Sequence, residues 1–208
     1  QQKKQSGNYW DTFTSLSFDL DKRNQKFKTT DGYRSSFTTD IPLITDTNTL
    51  TNKYVYNFYS ELYENNVSNF SLFIKSAKSL TNEDVKLSER LYIPGSRLRG
   101  FESGKIGPKD GSQYIGGNYA TSLNLSSTLP NILFENENLD LNFFLDLANV
   151  WEVDFDKSLD SNKIRSATGV AFNWYSPIGP LTFSYAIPIS EANTDVTEKF
   201  RFQIGTSF

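Results

Sequence analysis

The chain has 208 residues, a formal net charge of -3, and no Cys, His or Met, which removes thiol chemistry, Cys/His metal sites and the usual general base with a pKa near neutral. Mean hydropathy is negative, no window approaches the ~18 apolar residues a membrane helix needs, and the charge argues against a nucleic-acid partner, whose polyanionic backbone calls for a basic face. Aromatic residues make up 15% of the chain, 17 Phe and 11 Tyr among them, an excess that suits the interfacial girdles of a membrane barrel better than a soluble domain.

In chain order, period-two alternation predicts about nine strands, with helical spacing nowhere convincing. The first runs from Thr12 to Asp21, with Thr14, Leu16, Phe18 and Leu20 on one face and Ser15, Ser17, Asp19 and Asp21 on the other. After a turn at Thr30-Asp31-Gly32, the second sets Tyr33, Phe37, Ile41 and Leu43 against Arg34, Ser36, Thr38 and Asp40. The same division recurs in Tyr54, Tyr56, Phe58 and Leu62, then in Phe70, Leu72 and Ile74. Between about Leu80 and Tyr114 alternation is lost and Gly and Pro gather, which predicts a long functional or disordered loop over 80–115 carrying Leu98-Arg99-Gly100-Phe101.

Alternation returns at Leu123 and Leu125 and is cleanest where Leu139, Leu141, Phe143, Leu145 and Leu147 face away from Asp140, Asn142, Phe144, Asp146 and Ala148. Val170, Phe172 and Trp174 follow, then the turn Ser176-Pro177-Ile178-Gly179-Pro180, then Leu181, Phe183, Tyr185 and Ile187. The last strand puts Phe200, Phe202, Ile204 and Phe208 opposite Arg201, Gln203, Gly205 and Ser207.

These runs of roughly 9 to 12 residues match a tilted strand crossing hydrocarbon, whereas soluble strands average about five or six. Short turns at Glu64-Asn65-Asn66, Pro130 to Asn138 and Pro177-Ile178-Gly179 alternate with longer loops near Leu80 to Tyr114, Glu152 to Asn162 and Ser190 to Thr197. That asymmetry is the one outer-membrane barrels show between periplasmic and outer ends. The expected fold is therefore an all-β, antiparallel transmembrane barrel occupying residues 1–208. Single-chain bacterial barrels have even strand numbers, so an odd count suggests a fragment lacking upstream strands; Gln1, following no Met or signal peptide, reads as the start of a mature or excised chain.

In order, Pro94-Gly95-Ser96, Leu98-Arg99-Gly100-Phe101, Ile106-Gly107-Pro108, Gly116-Gly117-Asn118, Asp146 to Trp151, Ser176 to Pro180 with Ser184 to Pro188, and Phe200 to Phe208 resemble the C-terminal barrel of the BamA-type outer-membrane protein assembly family. Asp19 to Arg23 and Thr30 to Tyr33 resemble it more loosely. The resemblance implies about the last nine strands of a sixteen-stranded barrel, a loop folded inward, and a loop arginine paired with an inward acid: Arg99 with Asp146, beside Gly100 and Phe101. It departs where Ala148 replaces a common Gly and Asn124 a common inward Glu, leaving one carboxylate fewer near Arg99.

From spacing alone a solvated loop arginine is the commoner reading of Arg99; the family order turns it into a pin holding the loop. Asp19, Asp140 and Asp146 read as polar lumen lining rather than acid/base machinery or a cation site. Asp154-Phe155-Asp156 reads as a solvated loop rather than a calcium site. No enzyme activity and no cofactor or metal is expected. By resemblance the chain sits in the bacterial outer membrane, with lipids, nascent outer-membrane proteins and accessory assembly lipoproteins as partners, and inserts and folds β-barrel clients at a lateral seam. Phe200, Phe202, Ile204, Gly205 and Phe208 would form its terminal strand, Gly205 weakening that strand locally. A translocation pore of the same superfamily and a plain diffusion porin are the alternatives.

Overall fold

The structure, a computed structural model, describes residues 8, 10–64, 66–129, 138–160, 162–176 and 179–205. Nine strands form one sheet: β1 (Asp11–Asp21), β2 (Gly32–Thr45), β3 (Thr49–Tyr63), β4 (Asn66–Ser79), β5 (Tyr119–Thr128), β6 (Leu139–Trp151), β7 (Arg165–Ser176), β8 (Gly179–Ser190) and β9 (Phe200–Ile204). Each pairs antiparallel with the next in sequence, and β1 and β9 are the two edges. The all-β antiparallel expectation holds.

Alternation works because successive side chains of a strand point to opposite faces. Register then stacks like with like: Phe143 lies beside Val170, Val170 beside Tyr185, and Tyr185 beside Phe200. One step along, Leu141, Phe172, Phe183 and Phe202 form a parallel row, with ring centroids of Phe183 and Phe202 4.8 Å apart. Protein leaves much of these outward rows uncovered, Phe200 at 58% and Phe143 at 53% exposure. A hydrocarbon surround is what satisfies them.

The opposite face carries the core, which the alternation alone did not foretell. Residues 80–118 leave β4, fold over the inner face and return at β5. Val85, Leu91, Ile93, Leu98, Phe101 and Ile106 from this loop pack on Phe73, Ala77, Ala120, Ala148, Val150 and Ala167 from the wall. Small inward residues leave the space the loop fills. The inner face beside the loop is thus apolar and covered.

Three further differences are local. β2, β3, β4 and β6 have 13 to 15 residues, longer than the pattern suggested, because they continue beyond the apolar run at their ends, whereas β9 has five among the described residues. The loop asymmetry is broken twice: residues 46–48 are a tight turn at the long-loop end, and residues 22–31 make a long connection at the short-turn end. That connection turns inward, where Phe27 meets Tyr175 edge-on at 5.2 Å and Lys28 Nζ lies 3.9 Å from Asp140. Its basic run from Lys22 to Lys28 has no period to signal this path. The residues read as turns at Asn65, 130–137 and Pro177-Ile178 fall outside the described residues, as does Phe208.

A charge placed outward at mid-strand separates the two faces. Val170→Arg is expected to cost about 2–4 kcal/mol in a bilayer, whereas Ser126→Lys, whose side chain borders the open part of the interior, should leave stability near wild type. Urea unfolding in liposomes measures both.

Candidate functional site

The loop enters its tightest stretch through a single 3-10 turn, Gly95–Arg97, closed by the Arg97 amide donating to the Pro94 carbonyl at 2.8 Å. Leu98 is extended and buried, and Gly100 takes φ +88°, a left-handed conformation open to glycine. A Cβ there would also stand 3.0 Å from the Ala167 Cβ and 3.3 Å from that of Ala186. This turn presses Gly100 against β7 and β8 and aims Arg99 at β6.

Asp146, on the inward face of β6, is fully buried. Its Oδ2 accepts from the Arg99 backbone amide at 3.0 Å and Nε at 2.7 Å, and its Oδ1 accepts from Arg99 Nη2 at 2.7 Å and Asn124 Nδ2 at 2.9 Å. Four donors leave no part of the carboxylate unpaired. The guanidinium lies 3.4 Å above the Phe144 ring centroid, a geometry that attracts a cation to the ring face. A Cβ at Gly169 would sit 2.9 Å from Phe144 Cζ, so glycine at that place in β7 leaves room for the ring. Phe144 looks anomalous on a polar face and Gly169 unremarkable in a strand; together they make the floor under Arg99.

Asn124 also donates to the Arg97 carbonyl at 2.8 Å, so an amide bridges the loop to Asp146. Arg97 itself donates to Ser71 Oγ at 3.1 Å and stacks over Phe73, and burial pushes its pKa down. Below this layer is a cavity of about 610 Å³ bordered by Arg99, Ser96, Tyr59, Asp140, Tyr175 and Lys28.

A second buried pair went unread in the sequence. Arg165 at the start of β7 holds Asp195 in two parallel bonds of 2.9 and 3.0 Å, with both side chains 0% exposed. It also donates to Asn149 Oδ1 at 2.8 Å and to the Lys163 carbonyl at 2.9 Å. This pair fastens the 191–199 connection, which precedes β9, to the wall. Its partners lie 30 residues apart in aperiodic contexts, and nothing local joins them.

The three inward aspartates do not gather. Asp19 pairs with Arg34 at 2.6 Å, Asp140 lies near Lys28, and Asp146 holds Arg99; among the described residues no group of acids could hold a metal. Asp154 organises loops, accepting from the Val85 amide at 2.8 Å and from Asn118 Nδ2. Burial pushes the Arg90 guanidinium below its ordinary pKa, against the pull of Asp154. Asp156 caps the turn at Lys157–Leu159, and the Ser158 hydroxyl holds its carboxyl below the usual range. On β9, Phe200, Phe202 and Ile204 are 58%, 46% and 70% exposed, and Gly205 follows at φ +97°.

Arg99→Ala leaves a buried carboxylate without its cation, which typically costs about 3–5 kcal/mol. Protease nicking of residues 80–118 in the folded protein is expected to rise markedly; unchanged protection would mean that the ion pair does not hold the loop.

The Omp85 superfamily domain matches residues 1–208. Outer membrane protein assembly factor BamA of Neisseria meningitidis is 29% identical over 155 residues, 61% of this chain and 19% of that protein. BamA of Nitratidesulfovibrio vulgaris is also 29% identical, over 60% of this chain and 16% of its own length. A SAM50-like protein of Schizosaccharomyces pombe is 28% identical over 65% of this chain. The crystal structure of BamA from Haemophilus ducreyi lacking POTRA domains 1–3 superposes with a TM-score of 0.83 at 25% identity, covering 90% of this chain and 41% of that one. The chain thus spans less than a fifth of the first two relatives and under half of the solved structure. A match along its whole length, over a sheet of the same architecture, places the chain in the Omp85 superfamily.

Proposed function

We propose that this chain is part of a barrel that inserts and folds other β-barrel proteins into the bacterial outer membrane, templating client strands at a lateral seam. The observation carrying this reading is the state of β9. Among the described residues it pairs with β8 at five positions, from Tyr185 beside Phe200 to Leu181 beside Ile204, while β8 pairs with β7 along nearly its full length. Backbone groups are costly to leave unpaired in lipid, so a terminal strand held by few ladder bonds is a place where an incoming strand is favoured. Phe200, Phe202, Ile204, Gly205 and Phe208 are the residues assigned to this seam.

In this reading the work is templating and needs no catalytic group, cofactor or metal. Arg99, Gly100, Phe101 and Asp146 hold the inward loop. The partners are outer-membrane lipids, nascent outer-membrane proteins and accessory assembly lipoproteins, and the bacterial relatives favour the bacterial over the mitochondrial outer membrane. The packing of the loop on the inner wall supports this role over a diffusion porin, which requires an open water path.

Reconstitution tests it. The full-length protein in liposomes is expected to accelerate folding of a urea-solubilised outer-membrane client several-fold over empty liposomes. Steady open-channel conductance without acceleration would instead assign a porin, and passage of an unfolded chain into the liposomes a translocation pore.

A further inference from the structure

The segment that leads into β9 is joined to the inward loop along its backbone. Thr197 and Glu198 pair antiparallel with Phe101 and Gly100. The Glu102 amide donates to the Val196 carbonyl at 2.9 Å, and the Val196 amide to the Lys105 carbonyl at 3.1 Å. The Arg165–Asp195 pair anchors the same segment to β7.

Arg201 extends this connection into the terminal strand itself. It is the first inward residue of β9, its side chain 11% exposed. Nη1 donates to the Gly95 carbonyl and Nη2 to the Phe101 carbonyl. Nε and Nη2 also donate to Glu198 Oε2, at 3.0 and 2.5 Å. One guanidinium therefore grips the loop on both sides of Leu98-Arg99-Gly100, with Glu198 holding it in orientation. Gly95 fits this contact, since a Cβ there would lie 2.7 Å from Arg201 Nη1. The side chains flanking Arg201, Phe200 and Phe202, point outward from the same strand.

We propose that Arg201 is a positioning residue that couples the inward loop to the terminal strand, so that release of one loosens the other. The planar fork suits this task, because it reaches two carbonyls and a carboxylate at once. If β9 moves, the Gly95 and Phe101 carbonyls lose a buried charged donor. If the loop leaves Asp146, Arg201 loses two of its three acceptors. The coupling does not depend on client binding, so its test stands apart from that of the assembly role.

The test is a double-mutant cycle on the full-length protein in lipid nanodiscs without client, reading amide hydrogen exchange at 200–204. Arg99→Ala is expected to raise exchange in β9 about tenfold when Arg201 is present, and no more than about twofold in an Arg201→Gln background. Heat-modifiable gel mobility reports folding of each variant; should Arg201→Gln not fold, Arg201→Lys, which keeps the charge but reaches one carbonyl at a time, carries the cycle with the same expectation of a reduced effect. An equal rise in β9 exchange in both backgrounds would overturn the proposal, as would no rise when Arg201 is present.

Discussion

A strand in hydrocarbon must keep its backbone groups paired and turn apolar side chains outward, and this constraint decides where the rest of the molecule finds its cohesion. Leu141, Phe143, Phe172, Phe183 and Phe202, the residues that would build a core in water, face the lipid here. The inner wall is left with Ala77, Ala120, Ala148, Ala167 and Ala186, all nearly inaccessible. Only a covering segment can make such a surface into a core. The 80–118 loop is that segment.

Apolar burial gives the loop its affinity for the wall, while the buried ions give it register. Asp146 accepts from the Arg99 amide as well as its guanidinium, so a shift of one residue would break backbone and side-chain bonds together. Arg165 with Asp195 does the same for the connection before β9. Because desolvation offsets much of the attraction in buried pairs, their main consequence is positional: they define which loop conformation is compatible with a closed-packed interior.

Strand number, order and parity were readable from alternation, because two-faced burial imprints period two on every membrane strand. Asp146 and Arg99 were readable as a pair only through the order of motifs, since they stand 47 residues apart. What the sequence concealed was the interior. Alanines on a polar face look neutral, and Leu91, Ile93, Leu98 and Phe101 are spaced by Gly and Pro without periodicity. Arg165 and Asp195, the inward path of residues 22–31, and the grip of Arg201 on Gly95 and Phe101 all rest on contacts between distant segments that leave no local signature.

The absence of native cysteine makes β6 open to single-site spin labelling, and collision rates there test the arrangement most directly. In bilayers, labels at 141, 143, 145 and 147 should collide with oxygen dissolved in lipid and escape a water-soluble nickel chelate, while labels at 140 and 142, which border the open part of the interior, should collide with nickel and escape oxygen. Nickel access at the odd-numbered positions, or oxygen access at 140 and 142, would contradict a sheet with one face to lipid and the other to its own interior.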